Sequence, residues 1–236
     1  MRILAIDSSA TAASAALLDD NRILGEFYIN TRLTHSQTLM PMIDNLLQCT
    51  RSELKSVDLF AVSAGPGSFT GIRIGVASIK GLAMAQNKPC AGVSTLEAMA
   101  HNLEHLECTV CAVMDARCGQ VYNAIFSADG NSIERITPDR ALSVEDLAEE
   151  CKNYAKPLLL VGDGAKLCYN NERFKSLNAV LPPEQLIYQR AWGVAKSAFK
   201  VYEQGGAVLP AALMPVYLRL PQAERELKKR IKGETK

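Results

Sequence analysis

Hydrophobic residues occur in short runs along the first hundred positions, and their spacing alternates between the periods typical of strands and of helices. Three apolar runs, separated by short polar turns, predict a three-strand meander at the start of the chain. A segment with helical spacing follows, in which Pro41 must occupy one of the early turns. The predicted elements of this half are strands at 2–7, 14–19, 23–30, 57–63 and 89–93 and helices at 34–49 and 70–86.

The second half of the chain repeats this pattern. Residues 108–131 can be laid on residues 2–21 with a one-residue gap, and Asp115 then coincides with Asp7, each after an apolar strand. Serine three residues before an acidic residue, in "STLE" and "SVED", predicts two capped helix starts. A strand at 157–162, helices near 164–176 and 191–204 and an irregular segment at 205–221 complete the prediction.

Two consecutive units of this kind predict an α/β fold of two lobes, each a mixed sheet with flanking helices. We place the lobes at residues 1–106 and 107–215, followed by a basic tail at 216–236. Duplicated lobes of this type resemble the actin-like, or ribonuclease H-like, superfamily. That resemblance implies a nucleotide site between the lobes, for which Asp7, Ser8, Ser9 and Asp115 are the candidate residues.

The stretch "AGPGSFTGIRIG" at 64–75 joins a strand to a helix and invites two interpretations. A Walker A loop is excluded because Gly71 is followed by Ile72 rather than by lysine. A helix start can still bind an anion. Alternatively, the glycines allow the backbone of another segment to approach this loop and helix closely. The small residues Gly71, Gly75, Ser78 and Gly81 leave one side of the predicted helix bare, to be covered by this chain, by a partner or by a second copy.

Charge and cysteine content argue against a nucleic-acid-coating protein and against a CxxC metal site. With 26 basic and 25 acidic residues the formal net charge is +1, which argues against a chain that coats nucleic acid by itself. Of seven cysteines, Cys108 and Cys111 form a CxxC spacing, but on a strand they point to opposite faces and cannot readily share a metal. We expect reduced thiols and no membrane segment or signal peptide, and hence a cytoplasmic location.

Several motifs together resemble the TsaB (YeaZ) family of bacterial tRNA threonylcarbamoyladenosine biosynthesis proteins. They are "ILAIDSS", "THSQTLMPMID", "GPGSFTGIR", "MDARCGQVY", "VGDGA" and "PVYLR", in this order over most of the chain. The resemblance implies an actin-like fold and a non-catalytic subunit that activates a larger paralogue, TsaD, with an ATPase, TsaE. The complex transfers a threonylcarbamoyl group to N6 of adenosine 37 in tRNAs that read ANN codons. ATP and metal are then supplied through the partners, with no cofactor for this chain alone.

The resemblance also implies where the chain pairs. Helices of the first lobe form the family's pairing surface, so we expect a heterodimer with the paralogue and a homodimer in isolation. The residues we assign to this surface are His35, Leu39, Met42, Ile43, Leu46, Gly71, Ile74, Gly75, Ser78 and Leu82.

Metal binding has little support in the sequence. The two metal-binding histidines of the paralogue fall at Thr95 and Met99, neither of which replaces an imidazole ligand. His101 and His105 share a helix face, but Glu104 is expected to point away from them and a third ligand is missing. We therefore predict no metal site.

Two other functions stay open. The lobes and the turn at Asp7 would also suit a stand-alone actin-like ATPase or kinase. A metallopeptidase-like hydrolase is a further alternative. The basic tail, with six basic residues among 225–236, is a hypothetical contact for tRNA phosphate.

Overall fold

The computed structural model describes residues 1–20, 22–31 and 33–219. The first sheet has the order β3-β2-β1-β4-β5. Its strands are β1 (Arg2–Asp7), β2 (Ala13–Asp19), β3 (Arg22–Ile29), β4 (Leu59–Gly65) and β5 (Cys90–Ser94). The first three strands are antiparallel neighbours, as predicted, whereas β4 and β5 run parallel to β1. The sheet is therefore mixed.

The second sheet has the order β10-β6-β7-β8, with β9 also paired to β7. Its strands are β6 (Glu107–Arg117), β7 (Gln120–Asp129), β8 (Ile133–Arg135), β9 (Arg140–Ser143) and β10 (Leu158–Val161). The antiparallel β6–β7 hairpin and the parallel strand β10 repeat the plan of the first sheet. The internal repeat is thus confirmed, although the third strand of this meander is divided into β8 and β9.

Helices cover both faces of each sheet. They are α1 (His35–Cys49), α2 (Phe69–Gln86), α3 (Thr95–Ala100), α4 (Val144–Cys151), α5 (Ala165–Tyr169), α6 (Glu172–Lys175) and α7 (Ala191–Glu203). Because side chains alternate along a strand, β1 sends Leu4 and Ile6 towards α1 and α2, and Ile3 and Ala5 towards α7. The second sheet packs on α4, α5 and α6 with one face and on α3 with the other. Two mixed sheets with these helices form the predicted actin-like two-lobed fold.

Serine side chains begin three of these helices. The Ser94 hydroxyl accepts a hydrogen bond from the Glu97 amide at 3.2 Å, and the Ser143 hydroxyl accepts one from the Asp146 amide at 3.0 Å. Ser68 caps α2 in the same way. Both predicted capping serines are confirmed, since each satisfies an amide that the first helical turn leaves without a partner.

The end of the chain returns to the first lobe. Helix α7 packs Val194, Ala195 and Ala198 against the first sheet, although the predicted division at residue 107 assigned it to the second lobe. Beyond it, Val208 bridges to Cys90, and the Val216 amide donates to the Ala64 carbonyl oxygen at 2.7 Å. The segment around the predicted residues 205–221 is irregular, with a short 3₁₀ turn at Pro210–Ala212. Residues 220–236, most of the predicted basic tail, lie outside the described residues.

Across the described residues, none of the helices is both long enough and apolar enough to cross a membrane.

Candidate functional site

The glycine-rich loop between β4 and α2 packs against the turn that follows β1. The Ser68 amide donates a hydrogen bond to the Ser9 carbonyl oxygen at 2.6 Å, and a Cβ at Gly67 would lie 2.4 Å from that oxygen. A Cβ at Gly71 would lie 2.1 Å from the Ser8 carbonyl oxygen. Of the two interpretations of this loop, the structure therefore supports close backbone approach, and the approaching segment belongs to the same chain.

Asp7 is fully buried at the end of β1 and holds this turn together. Its Oδ1 accepts hydrogen bonds from the Ser9 amide at 2.9 Å and the Ser9 hydroxyl at 2.7 Å, and its Oδ2 accepts one from the Ser63 hydroxyl. Burial raises the pKa of Asp7, and the bonds from Ser63 and Ser9 only partly oppose that effect. The geometry gives Asp7 a structural role beneath the loop.

A cavity of about 550 Å³ lies between the lobes, above this turn. Its walls come from the β1–β2 turn, the glycine loop, the end of β6 and the segment 216–219. Polar and charged side chains of the lining are Ser9, Thr11, Ser68, Thr70, Asp115, Arg117, Tyr122, Asp163, Tyr217 and Arg219. The segment 216–219 closes one side, because Arg219 donates a hydrogen bond to the Ala116 carbonyl oxygen at 2.8 Å.

Asp163, in the turn after β10, is the titratable group of this cavity with a large pKa shift. Burial raises its pKa to about 6, and the negative charges of Asp115 and Asp7 add to that effect. The Gln189 side-chain amide donates to its Oδ1 at 3.3 Å, which opposes the shift. Asp163 was not among the predicted site residues, although "VGDGA" resembles "ILAIDSS" in placing an aspartate near the end of an apolar strand.

The four candidate nucleotide residues lie in different surroundings. Ser9 and Asp115 line the cavity, whereas Asp7 and Ser8 do not, and all three residues of the turn, Asp7, Ser8 and Ser9, are buried. The Ser8 hydroxyl donates to the Gly71 carbonyl oxygen at 2.9 Å. The Ser9 and Ser68 amides already donate within the chain, so this turn offers few free amides to a phosphate. Nucleotide binding here stays a prediction.

Helix α1 turns its predicted pairing residues inward. Leu39, Met42, Ile43 and Leu46 are all buried in the core between α1, α2 and the first sheet. Their assignment to an exposed pairing surface was wrong, because an amphipathic helix on a sheet buries its apolar stripe in its own domain. Met40, outside the buried stripe of α1, is 44% exposed and was not assigned.

Helix α2 divides the predicted pairing residues between two faces. Gly71 and Gly75 are buried, and a Cβ at Gly75 would lie 2.5 Å from the Ser8 hydroxyl oxygen. Their assignment to the surface was wrong, because the missing side chains make room for the turn after β1 of the same chain. Ile74, Ser78 and Leu82 lie partly exposed along the outer side.

The outer side of α2 also contains residues that the assignment missed. Ala77, Gly81 and Ala85 are exposed there at a spacing of four residues, and Met84 is 64% exposed. A Cβ at Gly81 would meet no atom of the described residues within 4 Å. In the sequence, the four-residue spacing of Ala77, Gly81 and Ala85 was the feature that could have indicated this exposed strip of small residues. Without the structure, however, it could not be distinguished from the equally spaced pair Gly71 and Gly75.

His35 begins α1 and contacts the turn after β1. Its Nε2 lies 2.7 Å from the Ala10 carbonyl oxygen, and the ring is partly buried. This residue of the predicted pairing set therefore makes a polar contact within its own chain. It also fixes α1 against the β1–β2 turn that carries the cavity wall.

The histidine pair His101 and His105 contacts a buried carboxylate. Glu104 is 2% exposed, with His101 Nδ1 at 2.8 Å from Oε2, His105 Nε2 at 3.5 Å from Oε1 and the Lys196 ammonium also on Oε1. The expectation that Glu104 points away from the histidines was wrong, because residues 101–103 form a 3₁₀ turn rather than a continued α-helix. Within the described chain, no group of three or more His, Cys, Asp or Glu side chains is arranged to hold a metal ion.

The CxxC cysteines behave as predicted. Cys108 packs in the core on the α3 side of the second sheet, and Cys111 packs in the core on the α4 side. All seven cysteines are free, and Cys49 and Cys118 are the exposed ones. A shared metal or a disulfide between Cys108 and Cys111 is excluded by their positions on opposite faces.

Comparisons with known proteins agree with this fold. The family model for TsaD, tRNA N6-adenosine threonylcarbamoyltransferase, matches residues 23–176. The TsaB protein of Bacillus subtilis is 32% identical over 95% of this chain and 96% of its own length. The TsaB protein of Escherichia coli is 33% identical over 96% of this chain and 98% of its own length.

The chain belongs to the TsaB family.

A solved structure of YeaZ from Pseudomonas aeruginosa superposes with a TM-score of 0.75 at 27% identity, and covers 92% of this chain and 99% of its own. Because the match spans both sheets, the two-lobed architecture is shared with that protein and not only the motifs of the first lobe.

In this TsaB-family chain, the two positions that the resemblance aligns with metal-binding histidines are buried and carry no histidine. Thr95 and Met99 are both 0% exposed, and Met99 packs in the core between α3 and the second sheet. A hydroxyl and a thioether at these positions offer no imidazole nitrogen to a metal. The residues present therefore do not fit a metal of the kind implied for the paralogue.

Proposed function

We propose that this chain is a non-catalytic, partner-activating subunit in tRNA threonylcarbamoyladenosine biosynthesis. Its catalytic partner is a TsaD-like paralogue and its ATPase partner is TsaE-like. The paralogue then supplies the metal and the active site, and tRNA meets the complex rather than this chain alone. Membership of the TsaB family supports the pathway, and the side chains at Thr95 and Met99 support the accessory role.

The surface we propose for pairing is the outer face of α1 and α2. We define the α1–α2 face by Met40, Ile74, Ala77, Ser78, Gly81, Leu82 and Met84. It combines exposed methionine and partly exposed aliphatic side chains with small residues. The α1–α2 face lies on the first lobe, where the sequence predicted the pairing surface. Exposed residues that a partner can contact replace the predicted pairing residues that are buried.

Gly81 is the observation that carries this proposal. A glycine in a helix interior costs about 1 kcal/mol relative to alanine. Within the described chain no atom would obstruct a Cβ at Gly81, so packing in this subunit does not account for the glycine. A helix of a partner that crosses α2 at Gly81 would account for it, since a missing side chain lets two backbones approach closely. In the isolated protein a second copy occupies the same face.

Reconstitution tests the function. The purified chain alone should form no threonylcarbamoyladenosine on tRNA and show no steady ATP turnover. Addition of a TsaD-like protein and a TsaE-like ATPase should restore modification. Steady ATP hydrolysis or modification by the chain alone would contradict the proposal and favour the stand-alone ATPase.

A substitution on the α1–α2 face tests the surface separately. Gly81→Arg should abolish co-elution with the paralogue and the resulting activity, because the guanidinium side chain occupies the space of the partner helix. Glu203→Arg, at an exposed position near the end of α7, is the control and should pair normally. Normal pairing by Gly81→Arg would refute this surface while leaving the pathway assignment intact.

A further inference from the structure

A second cavity lies at the opposite end of β1 from the interlobe cavity, on the side of the first sheet that α7 covers. Its volume is about 410 Å³, within the range of pockets that bind small molecules. We call it the α7 pocket. Its lining residues are Ile3, Leu18, Asp20, Ile23, Glu104, His105, Trp192, Ala195, Lys196 and Phe199.

The floor and walls of the α7 pocket are apolar. Ile3, Leu18 and Ala195 are buried beneath it, and Trp192 and Phe199 of α7 pack partly exposed against the same core. Ile23 stands at the rim and is 48% exposed. These side chains form a surface that favours an aliphatic or aromatic group, because its burial removes apolar area from water.

The polar edge of the α7 pocket is built around Glu104. Both of its oxygens are engaged, Oε2 by His101 and Oε1 by Lys196 and His105. Burial alone would raise the pKa of Glu104, but the hydrogen bonds from His101 and Lys196 outweigh it and the pKa is lowered. Glu104 is therefore an ionised anchor that orients the two nitrogen-bearing side chains of the pocket edge, Lys196 and His105.

Hydrogen-bond donors remain free at this edge, whereas both oxygens of the buried Glu104 are occupied. Within the described residues Lys196 donates to Glu104, and an ammonium group has three N–H bonds, so two are left. His105 is 78% exposed and contacts Glu104 through Nε2, which leaves Nδ1 for another partner. The other carboxylate of the lining, Asp20, is paired with the Met1 ammonium at 2.5 Å. The edge therefore complements a negative charge better than a positive one.

We propose that the α7 pocket binds a small amphipathic carboxylate, with its anionic group at Lys196 and His105 and its apolar body against Trp192 and Phe199. The site is separate from the α1–α2 face, which lies on the other side of the first sheet. A failure of this proposal therefore leaves the pairing proposal untouched, and the reverse also holds.

Trp192 provides the assay, because it is the chain's one tryptophan and lines the pocket. The probes are octanoate, octylamine and octanol, which share an eight-carbon body and differ in charge. We expect octanoate to change the emission of the full-length protein saturably, and octanol and octylamine to bind at least about tenfold more weakly, equivalent to about 1.4 kcal/mol. Equal binding of the amine, or no saturable binding of octanoate, would overturn the proposal.

Substitutions at the exposed rim locate the site without disturbing the core. Ile23→Glu should weaken octanoate binding about tenfold or more, because a like charge stands at the pocket mouth, and Ile23→Lys should strengthen it. Leu167→Glu is the matched control, at a leucine of α5 that is 42% exposed and lies in the second lobe. If Ile23→Glu and Leu167→Glu give the same affinity as the unaltered protein, octanoate binds elsewhere and the assignment to this pocket is wrong.

Discussion

The α-carbon of Gly71 lies directly against the carbonyl oxygen of Ser8, so that a Cβ at Gly71 would come within 2.1 Å of that oxygen. Real Cβ atoms essentially never approach a carbonyl oxygen so closely. The contact joins the first turn of α2 to the turn after β1, and it explains a glycine that the sequence alone could equally assign to an intermolecular surface.

Two alanine substitutions in α2 should therefore have opposite effects on stability. Gly71→Ala should lower the free energy of unfolding by about 1–3 kcal/mol, because backbone must move to admit the methyl group. Gly81→Ala should raise it by up to about 1 kcal/mol, because the new methyl meets nothing within 4 Å and alanine favours the helix. Urea unfolding of both variants at low protein concentration checks the prediction. A stable Gly71→Ala protein would contradict the packing described here.

The sequence predicted the order of strands and helices better than it predicted which residues are exposed for pairing. Periodicity located the strands and the amphipathic helix α1, since alternation and helical spacing reflect burial directly. It could not tell whether an apolar stripe such as Leu39–Leu46 faces the chain's own sheet or a partner, because both environments select the same residues. Nor could it show that Glu104 reaches both His101 and His105, which depends on a local 3₁₀ turn.

Thiol reactivity should separate the cysteines into two groups. Cys49 and Cys118 are exposed and should react quickly with an aromatic disulfide reagent in the folded protein. The other five are buried, and burial raises the pKa of Cys90 to about 11 and that of Cys168 to about 12, which suppresses the reactive thiolate. We expect two fast thiols before denaturation and seven after it. Fast reaction of a third thiol in the native state would show that one core opens readily.

The segment that closes the interlobe cavity should depend on Tyr217. Arg73 donates a hydrogen bond to the Tyr217 hydroxyl at 2.8 Å, and the ring centroids of Tyr217 and Phe69 are 4.9 Å apart. Tyr217→Ala removes both contacts, and we expect hydrogen exchange of the Val216 amide to accelerate about tenfold through local opening. Tyr202→Ala, at a similarly exposed tyrosine of α7, is the control. Unchanged protection of Val216 in Tyr217→Ala would show that the backbone bond to Ala64 suffices by itself.

The pH dependence of stability should reveal the raised pKa of Asp163. Because burial raises its pKa from 3.8 to about 6, the folded protein binds this proton more tightly than the unfolded chain does. Its contribution to stability is therefore lost as the pH rises from about 4 to about 6. Asp163→Asn removes the cost of burying a negative charge. The free energy of unfolding of the variant should therefore rise relative to the unaltered protein over that pH range, and the gain should persist at higher pH. The gain is at most about 3 kcal/mol, reduced by solvent at this partly exposed group.

Asp129 supplies a control of opposite sign. The Asn131 and Ser132 amides donate to its carboxylate and lower its pKa, so its contribution is present at neutral pH and is lost on acidification. Asp129→Asn should therefore be less stable than the unaltered protein near neutral pH, with the difference vanishing as the pH falls. Urea midpoints measured from about pH 2 to pH 8 decide both cases, because the Asp129 contribution is lost only below about pH 4. If the two variants change in the same direction, burial in the interlobe cavity does not govern Asp163, because a general effect of removing negative charge would account for both.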